Sequence, residues 1–166
     1  MAEIILTRGL PGSGKTTWVN KFLKENPDYR NINRDDLRTM VFGVPYKFTK
    51  EREKTVTNLQ FDLADSLLYE GKSIIVSDTN LNPKVREDWE GYAESSWAGV
   101  RVKYKDFLDV SPEECIRRDL KRSDPVGSKV IMGMCKRYPE LFHENHRVYE
   151  GTFGKPNTVL FSEGDF

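Results

Sequence analysis

Residues 9–16 read GLPGSGKT and directly follow the β-branched and apolar run IILTR at residues 4–8. The stretch fits the pattern GxxxxGK[ST] of a phosphate-binding loop, which is met by Gly9, Gly14, Lys15 and Thr16. A short buried strand that leads into a glycine-rich turn and then into a helix is the setting that this motif requires. The stretch therefore predicts a nucleotide-binding P-loop fold.

Each position of this loop has a physical task. The glycines let backbone N–H groups point inward, Lys15 reaches the β and γ phosphates, and the hydroxyl of Thr16 can ligate Mg²⁺. The helix predicted from Thr16 to Glu25 directs its positive end at the same anion. We expect ATP or another nucleoside triphosphate, with Mg²⁺, to be held by Gly9, Pro11, Gly12, Ser13, Gly14, Lys15, Thr16 and Thr17. The sequence leaves the choice between ATP and GTP open.

Strands and helices alternate through the rest of the chain. Further strands are predicted at 29–33, 73–77 and 101–107, and further helices at 50–70, 82–98, 111–121 and 128–141, the last with a disturbance at Pro139. Residues 158–161 are a candidate last strand. This alternation predicts an α/β P-loop NTPase fold, adenylate-kinase-like, with a parallel sheet flanked by helices and a helical lid. We expect one domain over residues 1–166.

The composition excludes several classes of protein. Lys plus Arg (26) balance Asp plus Glu (26), so the overall charge indicates neither a nucleic acid nor a membrane as partner. Two cysteines support neither a disulfide framework nor a zinc site. The amino-terminal apolar run is too short for a signal peptide, and no apolar stretch of about 18 residues occurs. We therefore expect a cytoplasmic protein without a membrane segment.

The third predicted strand ends in an acidic residue, Asp78. A GTPase switch would have an Asp-x-x-Gly motif directly after the third strand and an Asn-Lys-x-Asp motif. Asp78 does not begin such a motif, no Asn-Lys-x-Asp occurs, and Thr79 stands where a motor ATPase usually has a glutamate. Asp78 is expected to position the acceptor or to contact Mg²⁺ through water. A simple cap or turn role for this residue remains the alternative.

The segment NINRDDLR at residues 31–38 follows the second predicted strand. In a helix that starts near Arg34, the side chains of Asp35 and Arg38 share one face. The carboxylate could accept a proton from an attacking hydroxyl while the arginine binds a neighbouring phosphate. Alternatively, Asp35 only favours the amino terminus of the helix through its dipole.

Basic residues concentrate at 117–137, a stretch that contains seven basic and two acidic residues. Arg118 and Arg122 lie four positions apart, just before the loop SDPVGS at 123–128. This placement predicts a mobile lid that delivers an arginine to the γ phosphate, and Arg122 is preferred because it is nearer the loop. The alternative is a solvated helical face.

With these residues in place, the chain resembles the kinase domain of the phage polynucleotide kinase-phosphatase family, which phosphorylates 5′-hydroxyl ends of DNA and RNA in nucleic-acid end repair. The resemblance is carried by IILTRGLPGSGKTTW, YRNINRDDLR, SDTNLNP and GTFGKP. It implies Asp35 as general base, Arg38 as the ligand of the acceptor's adjacent phosphate and Arg122 as the lid arginine. It also implies phosphates and Mg²⁺ on Lys15 and Thr16, acceptor positioning by Asp78, and the host cytoplasm as location if the gene is phage-encoded.

The chain departs from this family after GKP. Bifunctional members continue into a DxDGT phosphatase motif, but here the sequence reads NTVLFSEGDF, with Ser162 where the first aspartate is expected. We expect a kinase without 3′-phosphatase activity. A kinase of nucleosides or other small hydroxyl compounds and a nucleic-acid-binding module regulated by a nucleoside triphosphate remain alternatives. The sequence fixes neither DNA against RNA, nor single strands against duplex ends, nor the oligomeric state.

Overall fold

Four strands and six helices alternate along the residues that the computed structural model describes, which are 2–96 and 99–142. The strands are β1 (Glu3–Arg8), β2 (Tyr29–Ile32), β3 (Ser73–Val76) and β4 (Arg101–Asp106). The helices are α1 (Lys15–Glu25), α2 (Arg34–Phe42), α3 (Lys50–Tyr69), α4 (Pro83–Ser95), α5 (Pro112–Asp119) and α6 (Ser128–Arg137). A 3₁₀ turn, Pro139–Leu141, follows α6.

The strand pairs among the described residues are all parallel, in the order β2-β3-β1-β4. Because side chains alternate along a strand, Ile4 and Leu6 of β1 face one side of the sheet and pack with buried residues of α3 and α4. Ile5 faces the other side and packs with Val19 of α1. The sheet is therefore covered by helices on both faces, and the predicted α/β P-loop fold class is confirmed.

A second apolar cluster joins the phosphate-binding loop to α5 and α6. It contains Leu10, Leu81, Cys115, Ile116, Ile131, Cys135 and Phe142. The contact is close enough to require glycine at position 12, where φ is +82° and a Cβ atom would lie 2.3 Å from the carbonyl oxygen of Cys115. The loop therefore rests directly on the backbone of α5.

Some element ends differ from the sequence prediction. The helix predicted over 128–141 with a disturbance at Pro139 ends at Arg137, and the chain turns as a 3₁₀ helix at Pro139–Leu141 because proline cannot continue the α-helical hydrogen bonding. The helices predicted over 82–98 and 111–121 end at Ser95 and Asp119.

Parts of the sequence prediction fall outside the described residues. They are the candidate strand at 158–161, the GTFGKP motif and Ser162, so the single domain over 1–166 stays a prediction. Within 2–96 and 99–142, no helix has both the length and the apolar character needed to cross a membrane.

Candidate active site

A cleft of about 940 Å³ opens where the phosphate-binding loop meets α2 and α5. It is lined by Pro11, Gly12, Gly14, Lys15, Thr16, Thr17, Asn33, Asp35, Arg38, Thr39, Val44, Tyr46, Ser77, Asp78, Thr79, Arg118, Arg122, Asp124 and Val126. All the predicted catalytic residues therefore border one space. Two other predicted residues, Gly9 and Ser13, are buried within the loop and do not line the cleft.

The phosphate-binding loop forms the first wall of the cleft. Gly12 and Gly14 adopt positive φ angles of 82° and 99°, which L-residues with side chains rarely adopt. Gly14 is the N-cap of α1, no side chain caps this helix end, and its first turn carries no acidic residue. The backbone N–H groups of this turn thus form a cradle that suits an anion.

Lys15 begins α1 and is buried. Its Nζ atom donates hydrogen bonds to the carbonyl oxygens of Gly9 (2.8 Å) and Leu10 (2.7 Å), at the start of the loop. Burial lowers the pKa of Lys15 to about 8. The lysine is therefore held against the loop by its own hydrogen bonds and is cationic at neutral pH.

The amino terminus of α2 forms the second wall. Asn33 caps this helix, because its Oδ1 atom accepts the backbone N–H groups of Asp35 (2.9 Å) and Asp36 (3.3 Å). Its Nδ2 atom also donates to the carbonyl oxygen of Ser77 at 3.2 Å, which fixes the helix start beside the end of β3. The cap of α2 is thus supplied by the Asn33 amide and not by the Asp35 carboxylate. The Asp35 side chain is 84% exposed and accepts a 2.6 Å hydrogen bond from Nη1 of Arg38.

Glu53 of α3 holds the other side of Arg38. Its two carboxylate oxygens accept Nε of Arg38 at 2.8 Å and Nη2 at 2.7 Å, and Oε2 also accepts Nη2 of Arg34 at 2.9 Å. The hydroxyl of Tyr46 donates to Oε1 at 2.8 Å. The Arg38 guanidinium, with Arg34 and Tyr46, lowers the pKa of Glu53 to about 2. Sequence reasoning missed Glu53, because it lies on another helix, 15 positions from Arg38 in the chain.

Replacing Glu53 by glutamine is expected to lower the free energy of unfolding by about 1–3 kcal/mol at pH 7, because two arginines lose a charged acceptor. The folded-state pKa of about 2 lies below the ordinary value of 4.5, so this stabilisation is present above pH 4.5 and is lost as the pH falls towards 2. Denaturant unfolding of both proteins at pH 7 and pH 3 measures the difference, which should shrink at pH 3. Glu51→Gln, in the same helical turn but exposed, is the control, and an equal difference at both pH values would contradict the prediction.

Asp78 lies at the floor of the cleft, just beyond β3. Its Oδ1 atom accepts the backbone N–H of Arg34 at 2.9 Å, and its Oδ2 atom accepts Nε2 of Gln60 at 2.7 Å. Burial raises the pKa of Asp78, and these two hydrogen bonds oppose the rise. Asp78 therefore fixes the start of α2 and the middle of α3 to the end of β3.

Asn80 ties the end of β3 to β1 and was not singled out from the sequence. It has a φ angle of 45°, the only positive value of a non-glycine residue among the described residues. Its Nδ2 atom donates to the carbonyl oxygens of Thr7 (2.8 Å) and Val76 (3.0 Å). The N–H of Gly9 donates to the carbonyl oxygen of Thr79 at 3.1 Å. The floor of the cleft is thus bound directly to the strand that leads into the phosphate-binding loop.

The end of α5 and the loop that follows it form the third wall. Of the seven basic side chains in 117–137, Arg118 and Arg122 line the cleft. Arg118 Nε donates to Oε1 of Glu114 at 2.5 Å, whereas Nη1 of Arg122 lies 3.8 Å from Oδ1 of Asp119. Arg122, which lies beyond the end of α5, therefore has the weaker attachment to that helix.

Asp119 shapes the loop between α5 and α6. Its buried carboxylate accepts the backbone N–H groups of Val126 (3.1 Å) and Gly127 (2.8 Å). The loop is thus pinned at its far end to α5, the helix that carries Arg118 and ends three residues before Arg122. Sequence reasoning treated Asp119 only as an acidic residue in a basic region, because a buried carboxylate leaves no pattern in the sequence.

Comparison with known proteins shows where this arrangement occurs. A family model described as an AAA domain, AAA_33, matches residues 4–141. A protein of Autographa californica nuclear polyhedrosis virus, named "Putative bifunctional polynucleotide kinase/RNA ligase", is 28% identical over 174 residues, which cover 95% of this chain and 24% of the viral protein. The chain thus spans about a quarter of that relative's length.

Solved structures give the same picture of the fold. A chain of the Pnkp1/Rnl/Hen1 complex superposes with a TM-score of 0.61 at 26% identity, covering 74% of this chain and 41% of the other. A fungal RNA kinase superposes with a TM-score of 0.52 at 22% identity, over 82% of this chain and 65% of the other. At that identity, the second likeness concerns the fold alone.

Proposed function

We propose that this chain, which belongs to the AAA domain family, is an ATP-dependent kinase that transfers the γ-phosphoryl group to 5′-hydroxyl ends of DNA or RNA. The Asp35–Arg38 pair, which borders the same cleft as the phosphate-binding loop, carries the proposal. A protein that only bound nucleotide would need no carboxylate and arginine paired on the opposite wall. The viral relative, which is named a polynucleotide kinase/RNA ligase, supports a nucleic-acid acceptor.

The first wall suits a triphosphate with Mg²⁺. The uncapped amino terminus of α1 and the glycines at positions 12 and 14 offer backbone N–H groups to the β and γ phosphates. The Lys15 ammonium would add a cation there, and the Thr16 hydroxyl would ligate Mg²⁺. Bound ATP with its metal supplies the phosphoryl group and leaves as ADP.

The second wall suits the acceptor. Asp35 would accept the proton of the 5′-hydroxyl as its oxygen forms the new bond to phosphorus. Three N–H groups of Arg38 bond to Asp35 and Glu53, which leaves two of its five for a phosphate oxygen. A nucleotide that carries a phosphate on its 3′ side provides this oxygen, whereas a nucleoside does not. The geometry thus favours a polynucleotide end over a small alcohol.

The third wall supplies positive charge beside the leaving group. Arg122 borders the cleft and lies 3.8 Å from Asp119, so its guanidinium would be available to the γ phosphate, while Arg118 lies close to the loop at Gly14. Negative charge that develops on the transferring oxygens would be stabilised by these guanidinium groups.

One transfer assay tests the proposal. The chain is incubated with γ-labelled ATP, Mg²⁺ and a 5′-hydroxyl oligonucleotide, with thymidine as competitor. We expect label on the oligonucleotide and little competition by thymidine. Label on thymidine in preference would identify a small-molecule kinase, and absence of transfer to either acceptor would identify a binding module.

The depressed pKa of Lys15 leads to a prediction about ATP binding. Phosphate oxygens near Nζ favour the charged ammonium, so the pKa of about 8 should rise in the complex. Binding at about pH 8.5 should then take up a fraction of a proton, and affinity should fall as the pH rises further. Isothermal titration calorimetry in buffers of different ionisation enthalpy measures this uptake. Lys15→Arg, which stays charged, should show none, and equal heats of wild-type binding in all buffers would contradict the prediction.

A further inference from the structure

The loop at residues 43–49, between α2 and α3, exposes two apolar side chains. Val44 is 80% exposed and Phe48 is 72% exposed. Single exposed apolar residues are common on folded proteins and need no explanation by themselves. These two lie, however, on a segment whose near end enters the cleft, since Val44 and Tyr46 line it.

Several contacts hold this loop in place. Tyr46 is bonded to Glu53, the residue that also holds Arg38. Nη1 of Arg52 donates to the carbonyl oxygen of Lys47 at 3.2 Å, and its guanidinium lies 4.9 Å from the ring centre of Phe42. The loop therefore presents its exposed side chains from a fixed backbone, which lowers the entropic cost of ordering the loop when a ligand binds.

The charge around the loop is positive. Lys47, Lys50 and Lys54 are exposed, and Glu51 is the exposed acid among them. The charge of Glu53 is taken up by Arg34 and Arg38. An exposed aromatic ring among lysines, next to a wall that suits a terminal nucleotide, has the two features that bind single-stranded nucleic acid: a face for base stacking and cations for the backbone.

We propose that loop 43–49 is a docking surface for the single-stranded segment that continues from the terminal nucleotide of the acceptor. This rests on the proposed function. Bases contact Val44 and stack on Phe48, and the backbone phosphates lie near Lys47 and Lys50. Stacking uses the faces of the bases, so DNA and RNA are both accepted, whereas a blunt duplex hides these faces.

The surface predicts that affinity depends on acceptor length. Acceptors are a nucleoside 3′-monophosphate, a single-stranded octanucleotide of DNA and one of RNA. Phe48→Ala should raise KM for both octanucleotides about ten-fold, the scale of one lost stacking contact, without changing KM for the mononucleotide. Phe48→Trp, which keeps a ring for stacking, should restore the octanucleotide values.

Leu63→Ala is the matched control. Leu63 is an exposed apolar residue of the same helix that follows the loop, about 20 Å along its axis from Lys50. This variant should leave every KM unchanged. An octanucleotide KM that is equal in Phe48→Ala and wild type, with transfer intact, would overturn the docking surface and leave the kinase proposal standing.

Binding measurements separate the two proposals if no transfer occurs. Fluorescence anisotropy with a labelled octanucleotide needs no chemistry, so Phe48-dependent binding supports the surface even if transfer is absent. Binding of a blunt duplex as tight as that of the single strand, or octanucleotide binding that Phe48→Ala leaves unchanged, would overturn the surface.

Discussion

Replacement of Asp35 by asparagine should reduce kcat for oligonucleotide phosphorylation by about 10²–10⁴-fold, the usual contribution of a general base. Asparagine keeps the size of the side chain and a hydrogen-bond acceptor for Arg38, but it cannot take the proton of the 5′-hydroxyl. Single-turnover transfer with γ-labelled ATP measures the loss. ATP affinity should be unchanged, because the phosphate-binding loop is on the opposite wall.

Asp36→Asn is the matched control for this variant. Both carboxylates lie in the first turn of α2, and the N–H groups of both residues bond to Asn33, but Asp36 does not line the cleft. If Asp35 acted only on the helix dipole, the two variants would lose activity equally. A transfer rate in Asp35→Asn equal to that of wild type would remove Asp35 from the base role.

The second large effect is expected for Arg122→Ala, which should reduce kcat about 10³–10⁵-fold, as loss of a charge-stabilising arginine does in phosphoryl transfer. The Arg122 guanidinium borders the cleft, and its Nη1 atom lies 3.8 Å from Oδ1 of Asp119, which is too far for a hydrogen bond. The guanidinium is therefore available to the developing charge. Transfer rates measured at saturating ATP isolate this effect from binding.

Arg117→Ala is the control for lid charge. Arg117 belongs to α5, is bonded to Glu114 and does not line the cleft, so its loss should leave kcat within about two-fold. A larger loss in Arg118→Ala than in Arg122→Ala would reverse the order that the sequence suggested and make Arg118 the charge-stabilising residue.

The sequence predicts those parts of the site that depend on local chemistry. The phosphate-binding loop follows from glycine, lysine and threonine at fixed spacing, and the pairing of Asp35 with Arg38 follows from helical periodicity. In each case the residues concerned lie within a few positions of one another in the chain, so their spacing alone specifies the arrangement.

Residues that act across elements could not be predicted in this way. Glu53 and Arg38 are 15 positions apart in the chain, and they meet only because α2 and α3 pack together. Asn80 reaches the carbonyl oxygen of Thr7 across 73 positions, in a backbone conformation that its residue type permits but does not require. Such contacts depend on tertiary packing, which no local pattern records.

The parallel pairing of β1 with β3 places Leu6 beside Val76, so the phosphate-binding loop and the floor of the cleft at Asp78 follow neighbouring strands. A slip of one residue would shift the phosphate-binding loop against the floor of the cleft by about 3.3 Å. Reacting atoms must approach to about 3–3.5 Å, so such a slip would displace the bound groups by about as much as their required separation. Single-residue insertions or deletions in these two strands should therefore be far less tolerated than changes of loop length elsewhere.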